Sequence, residues 1–181
     1  SLTVGGTELL RQGDRFGSFV MVPWCGRTRQ GRFRNGGVVH QLPLDAGPHA
    51  IHGTVRHQRW RTVRADDRSA AFVCELGEPW PYRGRVTQLV ELAEDGGAAT
   101  LTLGVETLGD SFPAQAGWHP WFLRTLTPGG PAVEIDFAGA AAWQELRGED
   151  HLPTGDRVEP KPGPWDDCFG MPDGVHVTLT W

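Results

Sequence analysis

Apolar and polar residues alternate along this chain in short runs, cut at close intervals by glycine and proline. No segment sustains the i, i+3, i+4 apolar spacing of a long amphipathic helix. Residues 85–92 and 100–106 flank Glu94-Asp95-Gly96-Gly97, a strand–turn–strand pattern. In the first run Thr87, Leu89 and Glu91 alternate with Gln88, Val90 and Leu92, so neither face is purely apolar. Residues 32–33 and 38–42 flank Asn35-Gly36, both tolerant of positive φ, and predict a second hairpin. Further strands are expected at 16–22, 60–64, 71–76, 133–137 and 175–181. Strands without intervening helices predict an antiparallel all-β domain.

Two stretches refine this picture. Residues 148–164 are rich in proline, glycine and charge and predict a long surface connection. The run 175–181 reaches the last residue with no turn after it. Its hydrogen-bonding partner is expected among residues beyond the chain. With no starting Met either, the sequence is expected to be a fragment short of its C-terminal strands and a short N-terminal piece.

Composition narrows the class. At 181 residues the chain is expected to form a single domain, 1–181, with its own core. The formal net charge is -5, and its basic residues, sixteen Arg and one Lys, are interspersed with acidic ones. That mixture gives no reason to expect nucleic acid or an anionic membrane as partner. No apolar run approaches the ~20 residues that span a bilayer, and the first residues lack a signal-peptide pattern. Cys25, Cys74 and Cys168 are widely spaced and form no CxxC pair. This argues against a disulfide framework and against zinc, and a cytoplasmic setting is expected.

Four clusters could carry chemistry: Pro23-Trp24-Cys25-Gly26-Arg27, His49-Ala50-Ile51-His52-Gly53, Gly117-Trp118-His119-Pro120-Trp121-Phe122 and Trp165-Asp166-Asp167-Cys168-Phe169. His119 reads either as a half-buried ring satisfying a backbone carbonyl or as a proton donor tuned by its aromatic neighbours. His49 and His52 have HxxH spacing, but proline and glycine deny this segment the helix on which such pairs usually bind metal. A neutral ring there suits hydrogen bonding to ligand hydroxyls. Arg27 follows a tight apolar turn and offers a fixed fork of donors, whereas Arg29 and Arg32 read as solvated. Asp166 and Asp167 are an acidic turn or, beside Trp165 and Phe169, acceptors for sugar hydroxyls. No phosphate-binding glycine loop and no nucleophile elbow is present.

In this order the four clusters resemble the aldose 1-epimerase (galactose mutarotase-like) family. Gly26-Arg27 with Gly31-Arg32-Phe33 is similar to its Asn-Arg segment, with Gly26 in place of the Asn. His49-Ala50-Ile51-His52-Gly53 matches Asn-x-hydrophobic-His-Gly, with His49 in the Asn position. His119-Pro120-Trp121-Phe122 matches the His-Pro motif, and Trp165-Asp166-Asp167-Cys168-Phe169 matches a hydrophobic-Asp-x-x-Phe motif that selects Asp166. The resemblance spans residues 16–169. It implies a large antiparallel β-sandwich, incomplete at the C-terminus, with a sugar cleft. It also implies interconversion of the α and β anomers of an aldohexose without metal or organic cofactor. His119 would then be the acid at the ring oxygen, Arg27 and His52 would hold ring oxygen and hydroxyls, and Asp166 would bind hydroxyls. The family's base is a glutamate in a Glu-Pro-Gln-like stretch, and no glutamate here has that context. The competing expectations are a non-catalytic carbohydrate-binding relative, a hexose-6-phosphate 1-epimerase with arginines clustered near Arg27, and a metal enzyme using His49, His52 and His119.

Overall fold

The computed structural model describes residues 1–13, 16–137, 139 and 141–181. Its regular structure is strands, with two single 3₁₀ turns at Arg29–Gly31 and Val55–His57. The fold class is the all-β one expected, and the strand ladders with a described register are antiparallel. The chain divides into two compact units. One is Phe19–His119; the other joins Ser1–Ser18 to Pro120–Trp181.

The Phe19–His119 unit contains a four-stranded sheet in the order Ala99–Thr107, Gly84–Leu92, Ser69–Leu76, Arg61–Ala65. The central hairpin pairs without a break from Gly84↔Thr107 to Leu92↔Ala99, as its sequence predicts. Burial explains the mixed faces of Gly84–Leu92. Val86 is fully buried opposite Cys74, but burial fades toward the turn and Glu91 and Leu92 are exposed. Only one end of the sheet meets the core, so only that end needs an apolar face.

That core joins Val86, Cys74 and Leu76 to Val20, Val22, Leu42, Ala50, Val55 and Trp80. Trp80 stacks on Phe33 at 4.9 Å between ring centres and touches Trp24, Tyr82 and Phe112. Phe33 lies in the predicted second hairpin, Arg32–Asn35 with Val38–Gln41. Its turn residues are Gly36 and Gly37, at φ 55° and 81°, one position later than Asn35-Gly36. Asn35 instead uses its side chain, donating to Tyr82 Oη and to the Ser111 carbonyl, each at 2.8 Å.

The other unit holds a hairpin, Leu2–Val4 with Thr7–Leu10, that the sequence pattern did not single out. It also holds a three-stranded sheet in the order Pro153–Val158, Trp143–Arg147, Cys168–Gly170. The segment 148–164, expected to be a connection, therefore contains a strand. Proline and glycine hide it, and its ladder shifts register between Glu145 and Arg147. The expected strand 175–181 shortens to Thr178–Thr180. It pairs with Glu134–Asp136, so its partner lies within the chain.

Candidate functional site

One strand pair separates core from chemistry. Gly17–Met21 pairs with Gly117–Trp121. Along the first, Val20 is buried, as is Val22 just beyond it. Alternation turns Phe19 and Met21 to the opposite side. On the second strand Trp118 packs against the core, which turns Gly117 and His119 away from it. The rings of Phe19 and His119 meet there, stacked at 4.7 Å and 13°. A side chain at Gly117 would press on Met21 and on Cys25 Sγ, each 3.3 Å from the added carbon.

The adjoining loop brings in Arg27 and His52. Gly26, at φ 73°, turns the chain into the short strand Arg27–Thr28, which pairs with Ala50–Ile51. The His52 amide donates to the Gly26 carbonyl at 3.0 Å. In return the Gly26 amide donates to His52 Nδ1 at 3.2 Å. His52 occupies the left-handed region at φ 58°, uncommon for a residue with a Cβ. Its neighbour Gly53, at φ 71°, lies so close to Val22 that an added Cβ would overlap the Val22 backbone. Thr54 then donates to the Val22 carbonyl at 2.9 Å. These contacts over-determine the backbone and hold the strained histidine in place.

His52 and His119 meet edge to face with ring centres 5.2 Å apart, and Phe19 presents its edge to His52 at 5.9 Å. Burial, followed by His119, Arg56 and Arg27, lowers the His52 pKa to about 4, against a smaller opposing pull from Asp45. The ring is therefore neutral near pH 7. Because Nδ1 accepts the Gly26 amide, the proton sits on Nε2, and His52 offers a donor to a ligand. Arg27 is half-buried and makes no ion pair among the described residues. Arg56, the other cation whose field reaches His52, is paired with Asp45, whose second oxygen accepts the Ile51 amide at 2.9 Å.

The structure thus brings together His119, His52 and Arg27. His49 does not join them; it is buried, and its Nδ1 accepts the Gln30 amide at 3.1 Å, bracing the turn after Arg27–Thr28. Asp166 belongs to the other unit, where its side chain is exposed and the Arg147 guanidinium donates to its backbone carbonyl at 2.8 Å. Trp165 there packs with Phe137 and Phe169. Among the described residues no three His, Cys, Asp or Glu side chains gather as a metal site.

Sequence reasoning missed Phe19 and Asp45. Phe19 had a usable signal, since Phe19-Val20-Met21-Val22 alternates and its valines claim the core. Asp45 had none, because its role as a clamp on Ile51 and Arg56 depends on the loop fold. A separate apolar cleft of about 240 Å³, walled by Trp24, Phe33, Leu42, Trp80 and Pro113, contains no titratable side chain. It offers nothing to move a proton.

The family model described as Aldose 1-epimerase matches residues 1–174. Three solved structures are similar in fold. A putative aldose 1-epimerase from Escherichia coli K12 is 29% identical with a TM-score of 0.68, covering 85% of this chain and 52% of that one. The Slr1438 protein from Synechocystis sp. PCC 6803 is 19% identical with a TM-score of 0.64, covering 87% and 54%. The GalM/aldose epimerase homologue from C. elegans is 14% identical with a TM-score of 0.60, covering 77% and 44%. The chain thus spans about half the length of the structures it matches. No curated protein matches it.

Proposed function

The chain belongs to the aldose 1-epimerase family, and on that premise we propose that it carries the acid side of a mutarotase site acting on an aldohexose. One observation supports this most. The edge-to-face pair His52–His119 stands beside an Arg27 that no described carboxylate neutralises. In the proposed reaction His119 gives a proton to the ring oxygen as the C1–O5 bond breaks. The C1 hydroxyl loses its proton to a base, leaving an open-chain aldehyde. Rotation about C1–C2 and reclosure on the other face yield the second anomer, with both protons returned. Such acid catalysis contributes roughly 10²–10⁴-fold.

Arg27 and the Nε2–H of His52 act as fixed donors to the ring oxygen and hydroxyls. His52, with its pKa near 4, is too weak a base to remove the C1 proton at neutral pH. The family supplies that base as a glutamate. Asp166 is proposed as a hydroxyl acceptor on the strength of its motif alone. Because Arg56 is already paired with Asp45, Arg27 is the guanidinium beside His52 without an ion pair among the described residues, which favours a neutral hexose over a phosphorylated one. A cytoplasmic setting belongs to the same proposal, carried by the three widely spaced cysteines.

Polarimetry tests this reading. Joined to a family segment that carries the glutamate base, the chain should speed the rotation change of freshly dissolved α-glucose or α-galactose, and His119→Ala should remove the acceleration. Acceleration that survives His119→Ala overturns the acid assignment. Hexose binding without acceleration in that base-supplied form favours a carbohydrate-binding relative instead.

A further inference from the structure

We infer that Phe19 is a positioning residue for the site, a flat plate that fixes the plane of the His119 imidazole and keeps it edge to face with His52. The inference rests on the proposed role of His119 but is drawn from ring geometry. A histidine's second side-chain torsion is broad, so the contacts around the ring choose its plane, and the stacked phenyl is one of them. Phe19 lies nearly parallel to His119, 4.7 Å away and inclined by 13°. The same phenyl ring meets His52 at 63° and 5.9 Å, and the two imidazoles meet at 75° and 5.2 Å. Three rings in mutual contact fix one another's planes, and the phenyl, which cannot titrate, touches both that can.

The phenyl is also held from below. Phe19 stands between Ser18 and Val20, and Val20 is buried in the core. Burial of Val20 anchors the strand, so Phe19 stays on the face opposite the core. The plate suits both protonation states of His119, because an aromatic face attracts a cation as well as stacking on a neutral ring. An aliphatic side chain could fill the volume but would not define a plane.

The test compares Phe19→Leu and Phe19→Met with Phe19→Tyr, each checked for a dispersed amide spectrum. Two quantities are read: the His119 ring-proton resonances, assigned with His119→Gln, and kcat and KM for anomer exchange. The Leu and Met variants should move the His119 resonances toward random-coil positions as the ring current is lost. They should lower kcat by about tenfold with KM within about twofold, the pattern of a misoriented reacting group. The Tyr variant should keep both properties of the wild type. Unmoved His119 resonances in the Leu and Met variants overturn the inference, and so does a wild-type kcat in either variant. If the base-supplied form with Phe19 intact accelerates no anomer exchange, the enzyme reading fails on its own, and the resonances alone decide whether Phe19 sets the imidazole plane.

Discussion

Gly26 and His52 grip each other at two points. The Gly26 amide donates to His52 Nδ1, and the His52 amide donates to the Gly26 carbonyl. The first bond selects a tautomer and the second holds the backbone that presents it. Gly26 stands where the family carries Asn. Here the backbone at that position, at φ 73°, is committed to the histidine. With Gly at this position, main-chain contacts tie the loop to His52.

The first prediction concerns acid. The folded His52 ring has its pKa at about 4, against an ordinary histidine value near 6.5. Between these values the unfolded chain binds the proton and the folded one resists it. This contribution to stability is full above about pH 6.5 and is lost as the pH falls to about 4. Discounted for solvent screening of a half-exposed ring, the loss should be about 1–2 kcal/mol. Denaturant unfolding at pH 7 and pH 4.5 should show it in the wild type and not in His52→Gln. Equal pH sensitivity in both would assign the acid response to other groups.

Gly53→Ala should be severe. The new Cβ would overlap the Val22 backbone in a conformation that already has positive φ. The expected destabilisation is at least about 3 kcal/mol, beyond the usual range for an exposed glycine. Gly36→Ala, where nothing lies within 4 Å of an added Cβ, is the control for positive φ alone and should lose about 1 kcal/mol. The comparison is read from urea midpoints.

Arg27→Lys keeps the charge and removes the planar fork. If Arg27 binds the sugar through two parallel donors, KM for the hexose should rise by about tenfold, one charged hydrogen bond's worth. The His52 titration should hold its low value, because burial leads its causes and the cation remains. An unchanged KM would remove Arg27 from the proposed binding role.

Trp80 ties the core to the Phe33 hairpin while remaining only 3% exposed. Trp80→Ala should therefore lower stability by about 3–5 kcal/mol through lost burial and a residual cavity. A loss below about 1 kcal/mol in thermal or chemical unfolding would mean that the cluster collapses around the gap.

What the sequence disclosed follows from how local each signal is. The Gly84–Leu92 hairpin was legible because its β-rich runs flank a turn cluster and pair in perfect register. His119 and Arg27 could be singled out as candidates because each stands in a short string of unusual residues. The strand Pro153–Val158 was not, because proline, glycine and charge mask a pairing supplied by Trp143–Arg147. His49 could not be told from His52 by spacing. The difference lies in which backbone amide each Nδ1 accepts, from Gln30 in one case and Gly26 in the other. Such a choice is made only after the loop has folded.

The Gly17–Met21 strand sends alternate side chains to the hydrophobic interior and to the imidazole pair. A single residue inserted before Phe19 would exchange the two sets at once, aiming valines at the imidazole pair and an aromatic plate at the interior. Reading frame in this strand, and not only residue identity, therefore decides which side chains meet the imidazoles. Drift in this strand should proceed by substitution and avoid insertion or deletion.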